Sequence, residues 1–145
     1  MADPLIELMG KILTHIPEGI DNSLSILKGH LIAEEELYRA INSKVIVSKD
    51  IEKARLKFSQ LMFVTKAHYF KQEDSWMWGA LRMLNGIRNS LSHSLEPDNF
   101  GASLLEFIEL VEANYQSKEG EPFEERLRYA LAMLAAKVHS LARMT

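Results

Sequence analysis

Leu84-Asn85-Gly86-Ile87-Arg88-Asn89-Ser90-Leu91-Ser92-His93 is the stretch from which both the fold and the chemistry of this chain are read. Helical residues turn by about 100° each, so Ala80, Leu84, Ile87 and Leu91 share one face, which must be the buried one. On the same wheel Arg88 lies about 40° from Leu84, at the border of that face, and His93 lies about 180° away, pointing outward. Asn89 and His93 are four residues apart and therefore neighbours. Arg88 and His93 diverge by about 140°. Arginine is a fixed cation that can fork onto a phosphate, and histidine titrates near neutrality. Such a set can cleave a phosphodiester without a metal, and no other segment offers comparable chemistry.

Working outward, the same helical period recurs in both directions. Asp3-Pro4 pairs a capping acid with proline at the first helical position, which predicts a short helix to about His15. Pro17-Glu18-Gly19 breaks it. Leu24, Leu27, Leu31, Tyr38 and Ile41 predict a helix from about Asn22 to Ser43. Ser48 is the expected cap of a third helix, running to about Phe70. Asp74 or Ser75 opens the site helix, which ends near His93 because Pro97 restricts Glu96. Residues 101–117 form an amphipathic helix, and Glu121-Pro122 opens the last, to about Arg143. No segment alternates with period two, and there is no repeat, low-complexity tract or linker. The expectation is an all-α fold: a single domain over 1–145, an antiparallel bundle of about five long helices after a short N-terminal one.

Composition narrows the class. A hydrophobic share of 47% with 26% charged residues is ordinary for a globular chain long enough to bury one core. The absence of cysteine removes disulfides, thiolate zinc sites and cysteine nucleophiles. No apolar run approaches the roughly 18 residues of a membrane span, and no basic-then-apolar leader is present. No membrane partner and a cytoplasmic location are expected. The net charge of −3 argues against a general nucleic-acid binder, yet the charges are unevenly placed. Six basic residues (Lys49, Lys53, Arg55, Lys57, Lys66, Lys71) face two acids between Lys49 and Lys71, whereas nine acids face Lys118 alone between Glu96 and Glu125. Two solvated helix faces explain this; so does a basic side for phosphates opposite an acidic side that repels them.

The Arg88-Asn89…His93 string, with the lead-in Leu56-Lys57-Phe58, Leu61, Val64 and the Leu84-Asn85 step, resembles the signature of HEPN domains (higher eukaryotes and prokaryotes nucleotide-binding) from about Ala54 to Leu95. Many HEPN domains are ribonucleases of toxin and defence systems, and others are inactive binding or regulatory modules. The resemblance implies metal-independent cleavage of RNA by Arg88, Asn89 and His93, with no cofactor and no metal. His93 is then base toward the ribose 2′-hydroxyl or acid toward the leaving oxygen; a helix C-terminus favours its cation, which suits the acid. Arg88 stabilises the phosphoryl charge, and Asn89 holds the backbone or His93. Attack by the 2′-hydroxyl leaves a cyclic phosphate and spares DNA.

Because Arg88 and His93 diverge on a regular helix, either the helix unwinds before His93 or two chains complete a shared cleft. HEPN dimers take the second course, so a homodimer is the expected assembly, with an antitoxin or other protein as a further partner. Some HEPN toxins carry a tyrosine two residues after the histidine, the target of an inactivating nucleotidyl transfer; here Leu95 stands there, which speaks against that control. The alternative within the resemblance is a non-catalytic regulator similar to the mannitol-operon-repressor type. The plainest reading is a helix end, with Arg88 on carbonyls or a glutamate, Asn89 in the loop and His93 as cap.

Two other groups carry weight. His30 precedes Glu34 of the run Glu34-Glu35-Glu36 by four residues, a spacing that suits a metal pair or a glutamate facing the site helix. Solvation of two acids and pairing of the third with a base is the commoner outcome. His15, His68 and His139 lack spaced partners and are expected at the surface or satisfied. Trp76-Met77-Trp78 cannot all face one core, so one tryptophan is expected inside and the other partly exposed, at an interface or against a base.

Overall fold

The computed structural model describes residues 4–142. Its helices are α1 (Pro4–His15), α2 (Asn22–Asn42), α3 (Ser48–Ala54), α4 (Phe58–Tyr69), α5 (Ser75–Leu91), α6 (Phe100–Asn114) and α7 (Phe123–Leu141), with one 3-10 turn at Gln72–Asp74. No strand occurs among the described residues. None of these helices is long and apolar enough to cross a membrane. The caps expected at Asp3 and the end expected at Arg143 lie outside the described residues.

α7 is the axis of the core. Every residue from Ala130 to Ala136 is buried, as expected of a helix with neighbours on all sides. The alanines keep it slim, and α2 comes close where Gly29 faces it: a Cβ on Gly29 would lie 2.6 Å from Leu131 Cδ2. α1 is tied to α7 by Arg128, whose guanidinium donates to the carbonyls of Ile16 and Leu13 and pairs with Glu125 at 2.8 Å. Those carbonyls lie at the end of α1, where the helix runs out of amides to serve them; the Leu13 carbonyl also accepts from the Ile16 amide at 3.3 Å. α6 is tied to α7 by Glu112, which accepts from Arg126 Nη2 at 2.6 Å and Nε at 3.1 Å and from the Lys118 amide at 3.1 Å.

The Arg126 hydrogen bonds, the largest influence, together with the Lys118 amide hold Glu112 below the usual carboxylate pKa, against the opposing effect of burial. A folded-state pKa below the unfolded one contributes stability that is present at neutral pH and lost as pH falls through the folded value. Glu112→Gln is therefore expected to lower Tm at neutral pH, and the gap to wild type is expected to close in acid, below the ordinary glutamate range. Thermal melts across pH check this; a gap that widens in acid contradicts it.

Two expectations are corrected. The single helix expected from Ser48 to Phe70 is two helices, broken at Arg55, which takes the left-handed conformation at φ 50° and ψ 52°. Val47, not Ser48, occupies the N-cap position of α3, with no side-chain cap bond. The phase of the apolar residues runs on from Ile51 to Phe58, so the break leaves no trace in the periodicity. A long-range contact and a local cap accompany it: Tyr38 Oη donates to the Leu56 carbonyl at 3.5 Å, and Gln60 Oε1, three residues on, accepts from the Lys57 amide at 2.9 Å to start α4 afresh.

The second correction concerns direction. α4 lies beside the second half of α2 and runs in the same sense: Phe58 meets His30 at its start, and Tyr69 Oη donates to the Ala40 carbonyl at its end. α2 and α7 also run in the same sense, as the Gly29–Leu131 approach and the Glu36–His139 pair show. A uniformly antiparallel bundle is therefore not formed. The turn at Arg55 lets α3 carry the chain back along α2 before α4 sets out.

Candidate functional site

α5 presents the site. It is anchored at its start by the ion pair of Asp74 with Lys137 on α7, 3.3 Å. Ala80, Leu84 and Ile87 are buried and Leu91 is half-buried, so the apolar face expected from the sequence is the core face. This orientation fixes the rest of the wheel. Asn85, Arg88 and Asn89, at i, i+3 and i+4, share the adjoining flank. They line a cleft of about 290 Å³. Its opposite wall is His30 and Glu34 of α2, and its end is Lys57 with Phe58 and Ser59 at the start of α4.

Within the cleft Arg88 is half-buried, and Nη1 donates to Ser92 Oγ at 3.1 Å, which holds the guanidinium along the helix. Among the described residues no carboxylate lies within ion-pair distance of Arg88. His30 is buried, with Nε2 3.0 Å from Asn85 Oδ1 and its ring 4.2 Å from that of Phe58. Burial is the main influence on the His30 pKa and pushes it down. The Asn85 hydrogen bond opposes that, the Arg88 charge adds to it, and Glu34 pulls back weakly. His30 is therefore neutral at physiological pH.

His93 is elsewhere. α5 ends at Leu91, and the chain tightens there, with the Ser92 amide on the Asn89 carbonyl at 3.0 Å and the His93 amide on the Ser90 carbonyl at 3.2 Å. The α-helix ends before His93, and His93 is exposed and does not line the Arg88 cleft. One chain thus brings Arg88 and Asn89 together and leaves His93 apart. Leu95, two residues on, is almost wholly exposed.

The sequence does not mark His30 and Asn85 as partners in this cleft: His30 stands out only by its spacing to Glu34, and Asn85 only as part of the helix lead-in. Asn85, Arg88 and Asn89 at i, i+3, i+4 beside an apolar face was the available signal; the place of His30 opposite them had none. Among the described residues no three of His, Cys, Asp and Glu gather as a metal set would. Of the acidic run, Glu35 is exposed, Glu36 pairs with His139 Nδ1 at 2.7 Å, and Glu34 faces the site helix across the cleft. Trp78 is buried and Trp76 half-buried against the core. Of the basic stretch, Lys49, Lys53, Arg55, Lys57 and Lys71 are exposed and only Lys57 reaches the cleft, while Lys66 lies over the Phe70 ring at 5.4 Å.

One cleft of this helical protein thus gathers an arginine with no ion-paired carboxylate among the described residues, Lys57, Glu34 and the side chains of His30, Asn85 and Asn89. The chain matches no protein-family model, no curated protein and no solved structure.

Proposed function

We propose that the protein is a metal-independent endoribonuclease of the HEPN kind, a toxin or defence effector acting through a composite site in a homodimer. The observation that carries this reading is Arg88: a half-buried cation, held by a serine hydroxyl, with no ion-paired carboxylate among the described residues and with Lys57 in the same cleft. Leaving a partly desolvated charge without an acid is costly in a structural role; a phosphodiester supplies the missing anion. Arg88 stabilises the charge on the phosphoryl oxygens, and Asn89 at the rim holds the strand. His93 of a second chain then stands across the cleft to move the proton, since His93 of the same chain is not among the residues lining it.

The 2′-hydroxyl oxygen attacks the adjacent phosphorus, its proton goes to a base, and the bond to the 5′-oxygen breaks as that oxygen takes up a proton. The products are a 2′,3′-cyclic phosphate and a free 5′-hydroxyl. Varied RNAs incubated with the protein are expected to be cut to such ends with EDTA present, while DNA of the same sequence stays intact. Light scattering is expected to show a dimer. RNA left whole by the protein, alone and with partner proteins, sinks the ribonuclease reading and favours the alternative of a non-catalytic regulator acting through protein contacts. The observation on that side is the separation of Arg88 from His93 within one chain.

A further inference from the structure

Beside Arg88 stand two groups for which this chemistry has so far no task. His30 is more than nine-tenths buried, and its Nε2 meets the oxygen of the Asn85 carboxamide at 3.0 Å. An amide oxygen only accepts, so Nε2 carries the hydrogen and donates. The ring packs against that of Phe58 at a tilt of 31° and cannot swing to another partner without leaving that contact. The charged groups that face it are Glu34 one turn along α2, Arg88 from α5 and Lys57 from the start of α4.

A carboxamide has an acceptor end and a donor end. With its oxygen committed to His30, the Asn85 side chain has its NH2 group left for the cleft, on the flank it shares with Arg88 and Asn89. We propose that His30 is a positioning residue of the anion site: by holding the Asn85 oxygen, it keeps the Asn85 NH2 turned to the phosphoryl group that Arg88 binds. Asn85, Arg88 and Asn89 then meet the anion as one row of donors. Without His30 the amide is free to rotate half a turn and present its oxygen, an acceptor that repels phosphate. The inference rests on the ribonuclease reading only for the identity of the anion, a phosphodiester of RNA.

The test uses an RNA oligonucleotide methylated at every 2′-oxygen, which keeps the phosphates and cannot be cut. Its affinity is read by fluorescence anisotropy, with circular dichroism and Tm recorded for each variant. His30→Leu, which fills space and cannot donate, is expected to bind roughly 10-fold more weakly, the scale of one hydrogen bond to a charged group. His30→Gln, whose NH2 can reach the same oxygen, restores most of that loss. Asn85→Ala matches His30→Leu, and the double variant is no worse than Asn85→Ala alone, because the two act through one contact. On the wild-type protein, the imidazole of His30 followed by NMR is expected to titrate at higher pH once the oligonucleotide is bound, since the anion offsets the charge of Arg88. In Arg88→Ala the titration is already shifted upward and the oligonucleotide adds nothing.

Where His30→Leu fails to fold, the His30→Gln and Asn85→Ala affinities and the wild-type titration decide. A folded His30→Leu that binds as wild type, or losses that add in the double variant, overturns the positioning role. Cleavage of unmodified RNA by a protein whose His30 ignores the oligonucleotide overturns it too, and leaves the ribonuclease reading standing. Binding that depends on His30 and Asn85, in a protein that never cuts unmodified RNA, upholds the positioning role and removes the ribonuclease.

Discussion

Arg88→Ala and His93→Ala, each expected to lose RNA cleavage by about 100- to 10,000-fold, are expected to regain it when mixed. In a two-fold symmetric dimer whose sites pair Arg88 of one chain with His93 of the other, a mixed dimer carries one site lacking both residues and one lacking neither. Random re-pairing of equal amounts makes about half of the dimers mixed, so about a quarter of wild-type activity should return. The structure motivates the experiment: Arg88 lines the cleft between α2 and α5 while His93 sits exposed in the turn beyond α5. Subunit exchange is verified by a tag on one variant, and helicity by circular dichroism. Recovery near zero after verified exchange means that each site takes both residues from one chain, or that another residue does the work. Cleavage that survives His93→Ala alone removes His93 from the mechanism.

Leu84→Ala carries the largest expected effect on folding. Leu84 has no solvent exposure and sits at the centre of the α5 face that meets the core. Truncation removes its apolar contacts and leaves a cavity that the neighbours fill only in part, at a cost of roughly 2–5 kcal/mol. For a chain with a typical reserve of about 5–15 kcal/mol, this is a large fraction of the whole. His93→Ala removes an exposed ring and is expected to change stability by about 0.5 kcal/mol or less. Urea midpoints at unchanged slope measure both. An unfolded His93→Ala beside an intact Leu84→Ala would reverse the assignment of the two faces. The contrast also protects the first experiment, because a loss of cleavage in His93→Ala cannot then be ascribed to unfolding.

The sequence by itself determined most of the helices, though not the division between α3 and α4, and the buried face of α5. Helical period is a local property: Ala80, Leu84 and Ile87 recur at the spacing that places them together whatever surrounds them, and they are buried as that spacing requires. Pro4 and Pro17 punctuate the chain for an equally local reason, the missing amide and fixed φ of proline; α5 ends at Leu91, six residues before Pro97. The border place of Arg88 follows from the same wheel; His93 lies in the turn beyond the end of α5, outside it.

Only the tertiary structure decided what faces those residues. The break at Arg55 carries no glycine or proline and keeps the apolar phase; it is accompanied by the bond of Tyr38 to the Leu56 carbonyl and by α4 lying along α2 in the same sense. That break sets Lys57 and Phe58 at the mouth of the cleft. His30 and Asn85 are 55 residues apart, and no pattern within either helix marks them as partners. Their bond depends on how two helices are rotated against a third, α7, whose small residues and the bare Gly29 set the distance. Periodicity tells α5 which side to bury, whereas in α2 Leu24, Leu27 and Leu31 recur at helical spacing and stay exposed. Which polar groups then meet at the rim is settled by packing between helices, where a shift of one residue in register would bring a different side chain to Arg88.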